Sequence, residues 1–498
     1  MSALFSTAPA SGYDPLATSE WGAGKPVPLS VRASRLLKRR RVVYGIAALV
    51  ACTLLIVLAT ASPGRLREWR QRPEEKVEEP QQPQVMPPLY PEYHIEELKL
   101  PQQQDTRNPF ENGRKYMWVA DHTQWSGWGN FMQDMVFNAE LVYQSGRSYV
   151  FDNYTWDRDG PEYTDWKGKM IPSRIPLSAL ISGPIVGGPF GEDDPTPRAV
   201  TKEYWDEICP NKTVIRADEV RKLHGEGATA PKITETWLEY LKNIDDPCIE
   251  VDRDSGSIYH VFMFGTPNEI LPAWLVMSQS PILRLFGWGT LAHKAFESNR
   301  HLFSPAPLIA PYVTTPTCLN CVDPYAQLDG LIALHIRRGD FLEHCENLGH
   351  WGAGFNAFNS FPDFVDPWVP PQGTEEERIA HYLKRCLPTI EQIVEKVESI
   401  RASRAGEGLQ NIYIMTNGDR EWLNDLKAAL RSAHSWSLIA TTRDLIFTPE
   451  EKYVSQTMDM LIGQRAQVLV GNGFSSMTSN IAMLRQARRM PADSTRMW

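Results

Sequence analysis

Apolar positions fall into three kinds of pattern along the chain. From Val42 to Gly64 there is no charged residue, and Val42–Ala61 (VVYGIAALVACTLLIVLATA) is almost continuously apolar. About 20 such residues at ~1.5 Å rise cross the ~30 Å hydrocarbon core of a bilayer, which predicts one spanning helix over residues 42–62. Residues 63–112 are charged, Pro/Gln-rich and poor in large apolar side chains, a composition that buries no core and reads as an extended stalk. Beyond it, short apolar runs alternate with amphipathic stretches. Lys115–Ala120 reads as a strand, Phe131–Gln144 as a helix and Ser148–Phe151 as a strand, with a glycine turn between the first two. Residues 157–230 have no readable period, and the proline-rich stretch Pro305–Cys321 reads as a link between two halves.

The second half has the clearer rhythm. Leu331–Ile336, Asn411–Thr416, Trp436–Thr441 and Gln467–Val470 are strand patterns. Between them lie helix patterns over Glu375–Ser399, with Thr374 and Glu377 at capping-box spacing, over Asp419–Ser432, from Thr448 onward, and over Ser475–Arg489. Strands alternating with helices predict a doubly wound parallel sheet, whose ligands belong at the carboxyl ends of the strands. The segment CIEVDRDSGSIYHVF (248–262) reads instead as two strands joined by a turn. The domains expected are residues 113–322 and 323–498.

Charge refines the topology. The chain has 51 Lys plus Arg against 60 Asp plus Glu, a net charge of −9, which argues against a protein that works mainly by gripping nucleic acid. Arg32, Arg35, Lys38, Arg39, Arg40 and Arg41 precede the apolar run, against Arg65, Arg67, Arg70 and Arg72 after it. That bias makes residues 1–41 a cytoplasmic tail and the remainder lumenal. A cleaved signal peptide is the rival reading, disfavoured because the run is long and begins 41 residues in. Outside the span lie six cysteines, an even number that suits disulfides in an oxidising compartment, and Cys318-Leu-Asn-Cys321 reads as structural. Two glycosylation sequons, at Asn153 and Asn211, fall in the same region.

Three constellations carry candidate chemistry. His335-Ile-Arg337-Arg338-Gly339-Asp340 ends a buried strand, where two arginines need an anion or a carboxylate. A guanidinium can clasp a phosphate through two parallel hydrogen bonds, and Asp340 is near enough to pair with Arg338 and hold the loop. A structural Arg–Asp pair is the equal alternative. Gly471-Asn-Gly-Phe-Ser475-Ser476 lies between a strand and a helix start, an anion site or an ordinary N-cap. Gly127-Trp-Gly129-Asn130 is, alone, a turn. Asp157-Arg-Asp159 and Asp252-Arg-Asp254 match a DxD metal pattern, a permissive one, so no metal is expected.

Taken together, Gly129-Asn130, His335-x-Arg337, Asp459 twelve residues before Gly471, and the Ser475-Ser476 pair resemble the GDP-fucose-dependent fucosyltransferases, the protein O-fucosyltransferase and α1,6-fucosyltransferase group. The resemblance spans about 115–490 in scattered blocks. It implies a GT-B-like α/β fold: two Rossmann-like domains with a cleft between, here preceded by a transmembrane helix. It also implies inversion at the anomeric centre, GDP-fucose as donor and no metal or other cofactor. Arg337 would hold the β-phosphate with His335 beside it, Asp459 would read guanine, and Ser475 and Ser476 would face the phosphates. Asn130, next to Gly129, would lie near fucose and acceptor, while Arg338 and Asp340 would be structural. The sequence departs from the family pattern at Ser126, before the glycine motif in which some members carry a glutamate as base, and at Asn417, where an acidic residue is usual. Glu343 and Glu346 are the remaining candidates for a base. The expectation is a type II Golgi or ER membrane enzyme acting on a protein or glycan acceptor. The alternative is a catalytically silent lumenal glycan- or partner-binding protein on the same fold.

Overall fold

The computed structural model describes residues 86–104, 106–190, 194–304 and 323–498. The expected span over 42–62, Cys318 and Cys321 lie outside these residues. Among the described residues no helix is long and apolar enough to cross a membrane.

Two five-stranded sheets organise the chain, and every pairing within them is parallel. The first contains β1 (Tyr116–Val119), β2 (Ser148–Phe151), β3 (Val200–Thr201), β4 (Thr213–Ile215) and β5 (Cys248–Val251), in the order β3-β2-β1-β5-β4. The second contains β6 (Leu328–Ile336), β7 (Asn411–Thr416), β8 (Leu438–Thr441), β9 (Ala466–Gly471) and β10 (Thr495–Met497), in the order β8-β7-β6-β9-β10. In both, the chain reverses its direction of travel beside the first strand, leaving a crevice outside the carboxyl ends of β1 and β5, and of β6 and β9. The expected α/β doubly wound class is therefore present in each half. The described residues from Pro87 onward belong to one compact unit.

Helices cover the sheets for local reasons. α1 (Trp128–Gln144) is almost wholly buried and packs across β2. In the second half, α2 (Phe341–Trp351) is followed by α3 (Glu375–Cys386) and α4 (Ile390–Arg401). The single helix expected over Glu375–Ser399 is in fact these two, because Pro388 can neither donate to the ladder nor leave its predecessor helical. Thr374 with Glu377, and Thr389 with Gln392, each form a complete capping box. α5 (Arg420–Ala433), capped by Asp419, then α6 (Ser455–Arg465) and α7 (Ser476–Ala487) complete the layer.

Two expectations are corrected. Residues 248–262 do not form a hairpin: only Cys248–Val251 is strand, paired in parallel between its neighbours, and the chain then turns away. The stalk also ends earlier than residue 112. Pro91–Leu98 is helical, Tyr90 is buried with its hydroxyl donating to the Glu450 carbonyl at 2.6 Å, and Gln103 accepts from the Thr201 N–H at 2.7 Å. Few but well-placed aromatic and amide groups let a Pro/Gln-rich segment dock on polar backbone. Disulfides join Cys209 to Cys248 and Cys345 to Cys386, tying β5 and α3 to their neighbours.

The halves meet where α1 crosses α7. A Cβ on Gly129 would lie 2.6 Å from Ser476 Oγ and 2.9 Å from Met477 N. Asn480 Nδ2 donates to the Gly129 carbonyl at 2.8 Å, and Gln133 donates to Ser479 Oγ at 3.2 Å. Gly129→Ala should push the helices apart at this crossing and destabilise the protein by about 1–3 kcal/mol. Urea denaturation of the variant beside wild type measures this.

Candidate functional site

The crevice of the second sheet is built from the end of β6 and the loop after β9. Leu334 pairs with Val470, so His335 and Arg337 leave the sheet beside Gly471–Ser475. His335 is buried, its Nδ1 2.7 Å from Thr478 Oγ1, which ties the strand end to α7. Burial and the neighbouring Arg337 charge push its pKa down to about 3, so the ring is neutral at physiological pH. Trp498 stitches the same corner, donating from Nε1 to the His335 carbonyl at 2.8 Å and from its amide to the Gly471 carbonyl at 3.1 Å. Gly471 is required here, since a Cβ would run into Thr478. Ser475 stands at the N-cap of α7 but makes no side-chain capping bond, so ordinary capping does not account for it. Asn359 holds the loop by donating to the carbonyls of Gly473 and Ser475.

The pairing around the arginines differs from expectation. Asp340 takes Arg337, with Nη2 3.2 Å from its carboxylate, and not Arg338. Arg338 turns away, donating to the Pro388 carbonyl and lying 4.3 Å over the Trp422 ring. Burial lowers its pKa to about 10, which leaves it charged. Asn417 holds the loop between them. Its Oδ1 accepts from the Arg338 N–H at 2.7 Å, while Nδ2 donates to the Arg338 carbonyl at 3.0 Å and to Asp340 at 2.9 Å. A carboxylate at 417 could accept but not donate, so the amide is what this loop requires. Arg337 itself is only 2% exposed, packed 4.8 Å from the Phe341 ring.

From the first half, Asn130 reaches the same seam, donating from Nδ2 to Ser126 Oγ at 3.0 Å. The loop between β1 and α1 is pinned by Asp134, whose carboxylate accepts from the Thr123 N–H and hydroxyl at 2.9 and 3.0 Å and from Asn138 at 2.9 Å. Burial pushes this carboxyl up to about 6, against the lowering effect of those bonds. Asp134 was not among the expected site residues. Its only signal was an acidic side chain four residues beyond Asn130, on the same face of a helix.

Asp459 lies deeper than expected. It has no exposed surface, and accepts from Tyr413 at 2.6 Å and from Thr442 at 3.1 and 3.2 Å. Because the carboxylate is fully buried, contact with a base would require the side chains that cover it to move. Glu343 is exposed on α2 and Glu346 half-buried. The two DxD segments meet each other: Arg253 pairs with Asp159, and Arg216 with Asp252 at 2.7 Å. Concavities of about 520 and 510 Å³ lie elsewhere, one beside Phe137 and Tyr259, the other at the amino ends of β6 and β9. Phe341, Phe355 and Phe474, close in sequence to the site loops, belong to one buried apolar cluster.

The fold and this crevice define a doubly wound α/β protein with a cationic, serine-lined rim between its halves. Residues 316–488 match the family model described as GDP-fucose protein O-fucosyltransferase. Over that region, about a third of its length, the chain is similar to this family. Solved structures similar to it include POFUT1 in complex with GDP, its apo form, and its complex with GDP-fucose. Each is 14–15% identical, with TM-scores of 0.43–0.44 over 77% of this chain and 97–98% of the other. No curated protein sequence matches the chain.

Because the folded state holds the Asp134 proton more tightly than the unfolded chain does, this residue contributes stability at low pH that is lost as pH rises from about 4 to about 6. The difference in unfolding free energy between wild type and Asp134→Asn should therefore change by on the order of 2 to 3 kcal/mol across that window and be flat above it. Denaturant melts of both proteins at half-unit pH steps test this.

Proposed function

We propose that the protein is an inverting transferase moving fucose from GDP-fucose to a protein or glycan acceptor in the secretory pathway. In this reading it is a type II membrane protein of the Golgi or ER, with a lumenal GT-B head and the donor between the two sheets. The carrying observation is Arg337, a buried cation at the β6–β9 switch point beside the start of α7, within the region that matches the family. The two disulfides and the exposed Asn211 support the lumenal address.

In transfer, the bond between fucose C1 and the β-phosphate oxygen breaks and its electrons pass to GDP. The acceptor oxygen forms the new bond from the opposite face, and its proton passes to solvent water. A guanidinium aimed at the departing diphosphate stabilises the charge that grows there, and the amide dipoles at the start of α7 add to it. A phosphate reaching Arg337 displaces Asp340, which is more exposed and still held by Asn417. Ser475, free of capping, offers a hydroxyl to the phosphates. His335 is neutral and tied to Thr478, so it orients the strand end and carries no acid–base role. Asp459 acts through Thr442 and Tyr413, as a positioning residue behind the nucleotide wall. The reading needs no metal, since Arg337 supplies the positive charge.

A second reading, binding without turnover, is favoured by one observation: Asp340, the carboxylate nearest Arg337, is already committed to Arg337 and Asn417. Titration of the full chain with GDP, GDP-fucose and UDP-sugars in EDTA separates the two. Transferase function requires selective guanine-nucleotide binding together with slow GDP-fucose hydrolysis or transfer. Arg337→Ala should keep its melting temperature within a few degrees and lose about 10²–10³-fold in turnover. An active Arg337→Ala protein would refute the assignment.

A further inference from the structure

The crevice of the first sheet, outside β1 and β5, holds a feature that the donor site leaves unused. Trp125, in the loop after β1, has φ +54° and is 48% exposed. Left-handed backbone is ordinary for glycine but strained for a bulky residue, and such strain persists only where the surroundings over-determine it. Here they do. Asp134 holds Thr123, Tyr154 donates to the Ser126 carbonyl at 3.1 Å, and the Trp125 N–H donates to the Trp156 carbonyl at 3.0 Å. The loop is thus braced on both sides of an indole that faces solvent. Behind it lies a buried aromatic cluster that backs the indole, with Trp156 edge-on at 6.4 Å and Trp166 at 4.6 Å from Trp156. Partly buried Tyr453, from the second half, packs against the same cluster, so the loop that carries Trp125 is backed by both halves.

We infer that Trp125 is the platform on which a pyranose ring of the acceptor stacks beside Asn130, so that the acceptor of the proposed transfer is a saccharide. This rests on the transferase reading given above. A flat aromatic face suits the C–H face of a sugar, while hydroxyls at its edge need planar polar partners. Partly exposed polar groups follow it in the fold: Asn130, seated on buried Ser126, and Asp157 and Arg158, which follow the Trp156 that pairs with Trp125. A peptide side chain is anchored best in a closed apolar pocket, whereas this indole is 48% exposed.

The test uses the full chain as wild type, Trp125→Gly and Trp125→Phe. Glycine takes positive φ freely, so Trp125→Gly removes the indole and relieves the backbone together. Binding of chitobiose, N-acetyllactosamine and mannobiose is followed by saturation-transfer difference NMR, and GDP affinity by calorimetry. At least one disaccharide should bind wild type, with affinity at least about tenfold weaker in Trp125→Gly and partly retained in Trp125→Phe. GDP affinity should stay within about twofold, and the melting temperature of Trp125→Gly should be unchanged or higher. The inference is overturned if none of the disaccharides binds, if Trp125→Gly melts well below wild type, or if unglycosylated Ser/Thr peptides are fucosylated with the same KM by wild type and Trp125→Gly. Saccharide binding without GDP binding would strike the transferase reading alone; GDP binding without any saccharide effect would strike this inference alone.

Discussion

The close approach of α1 to α7 is the constraint on which the rest of the site depends. Only a residue without a side chain lets the two helix starts touch, and Gly129 supplies it against Ser476 and Met477. Hydrogen bonds from Asn480 and Gln133 then fix the crossing. Because each helix begins at the switch point of its own sheet, this one contact brings two crevices to a common rim. Asn130 and the Trp125 loop come from one, Arg337 and Ser475 from the other. A side chain at 129 would push these two rims apart.

Electrostatics at the rim follows from which groups can both give and accept. Asn417 bonds the Arg338 backbone in both directions and still donates to Asp340, which leaves that carboxylate facing Arg337. An acidic residue there would have placed a second negative charge beside Asp340 and left a carbonyl unpaired. Arg485 shows the opposite solution deeper in the same half. It is fully buried and held by the carbonyls of Gly463, Gln464, Ala466 and Ser494, with burial lowering its pKa to about 9. The first three of those carbonyls lie at the end of α6 and the start of β9, so one cation joins the helix that carries Asp459 to the strand that leads to Ser475.

The second half was the more legible because its signals are local. Asn411–Thr416 is strand to the residue, and Thr374 with Glu377 forms the capping box its spacing announced. The first half lacks such rhythm: Val200–Thr201 is a two-residue strand inside a stretch without period, and Cys248–Val251 carries a turn signal after it but no hairpin. A parallel neighbour many residues away decides a strand of that kind, and the segment itself holds no record of it. The DxD segments mislead for the same reason. Read alone, each presents two carboxylates; in the fold, Arg253 of one pairs with Asp159 of the other.

The residues themselves determined the alternation of strands and helices, the helix caps, and which side chains stand at the strand ends, because propensity, capping and periodicity act over a few neighbours. Their order also carried the family resemblance. Tertiary structure alone decided that Asp340 serves Arg337 and not Arg338, that Asp459 is sealed beneath Tyr413 and Thr442, and that a left-handed Trp125 stands exposed at the rim. Each of those outcomes is a choice among partners brought together by packing, and burial makes the choice decisive, since a charge or a strained backbone inside a protein persists only where several distant residues satisfy it at once.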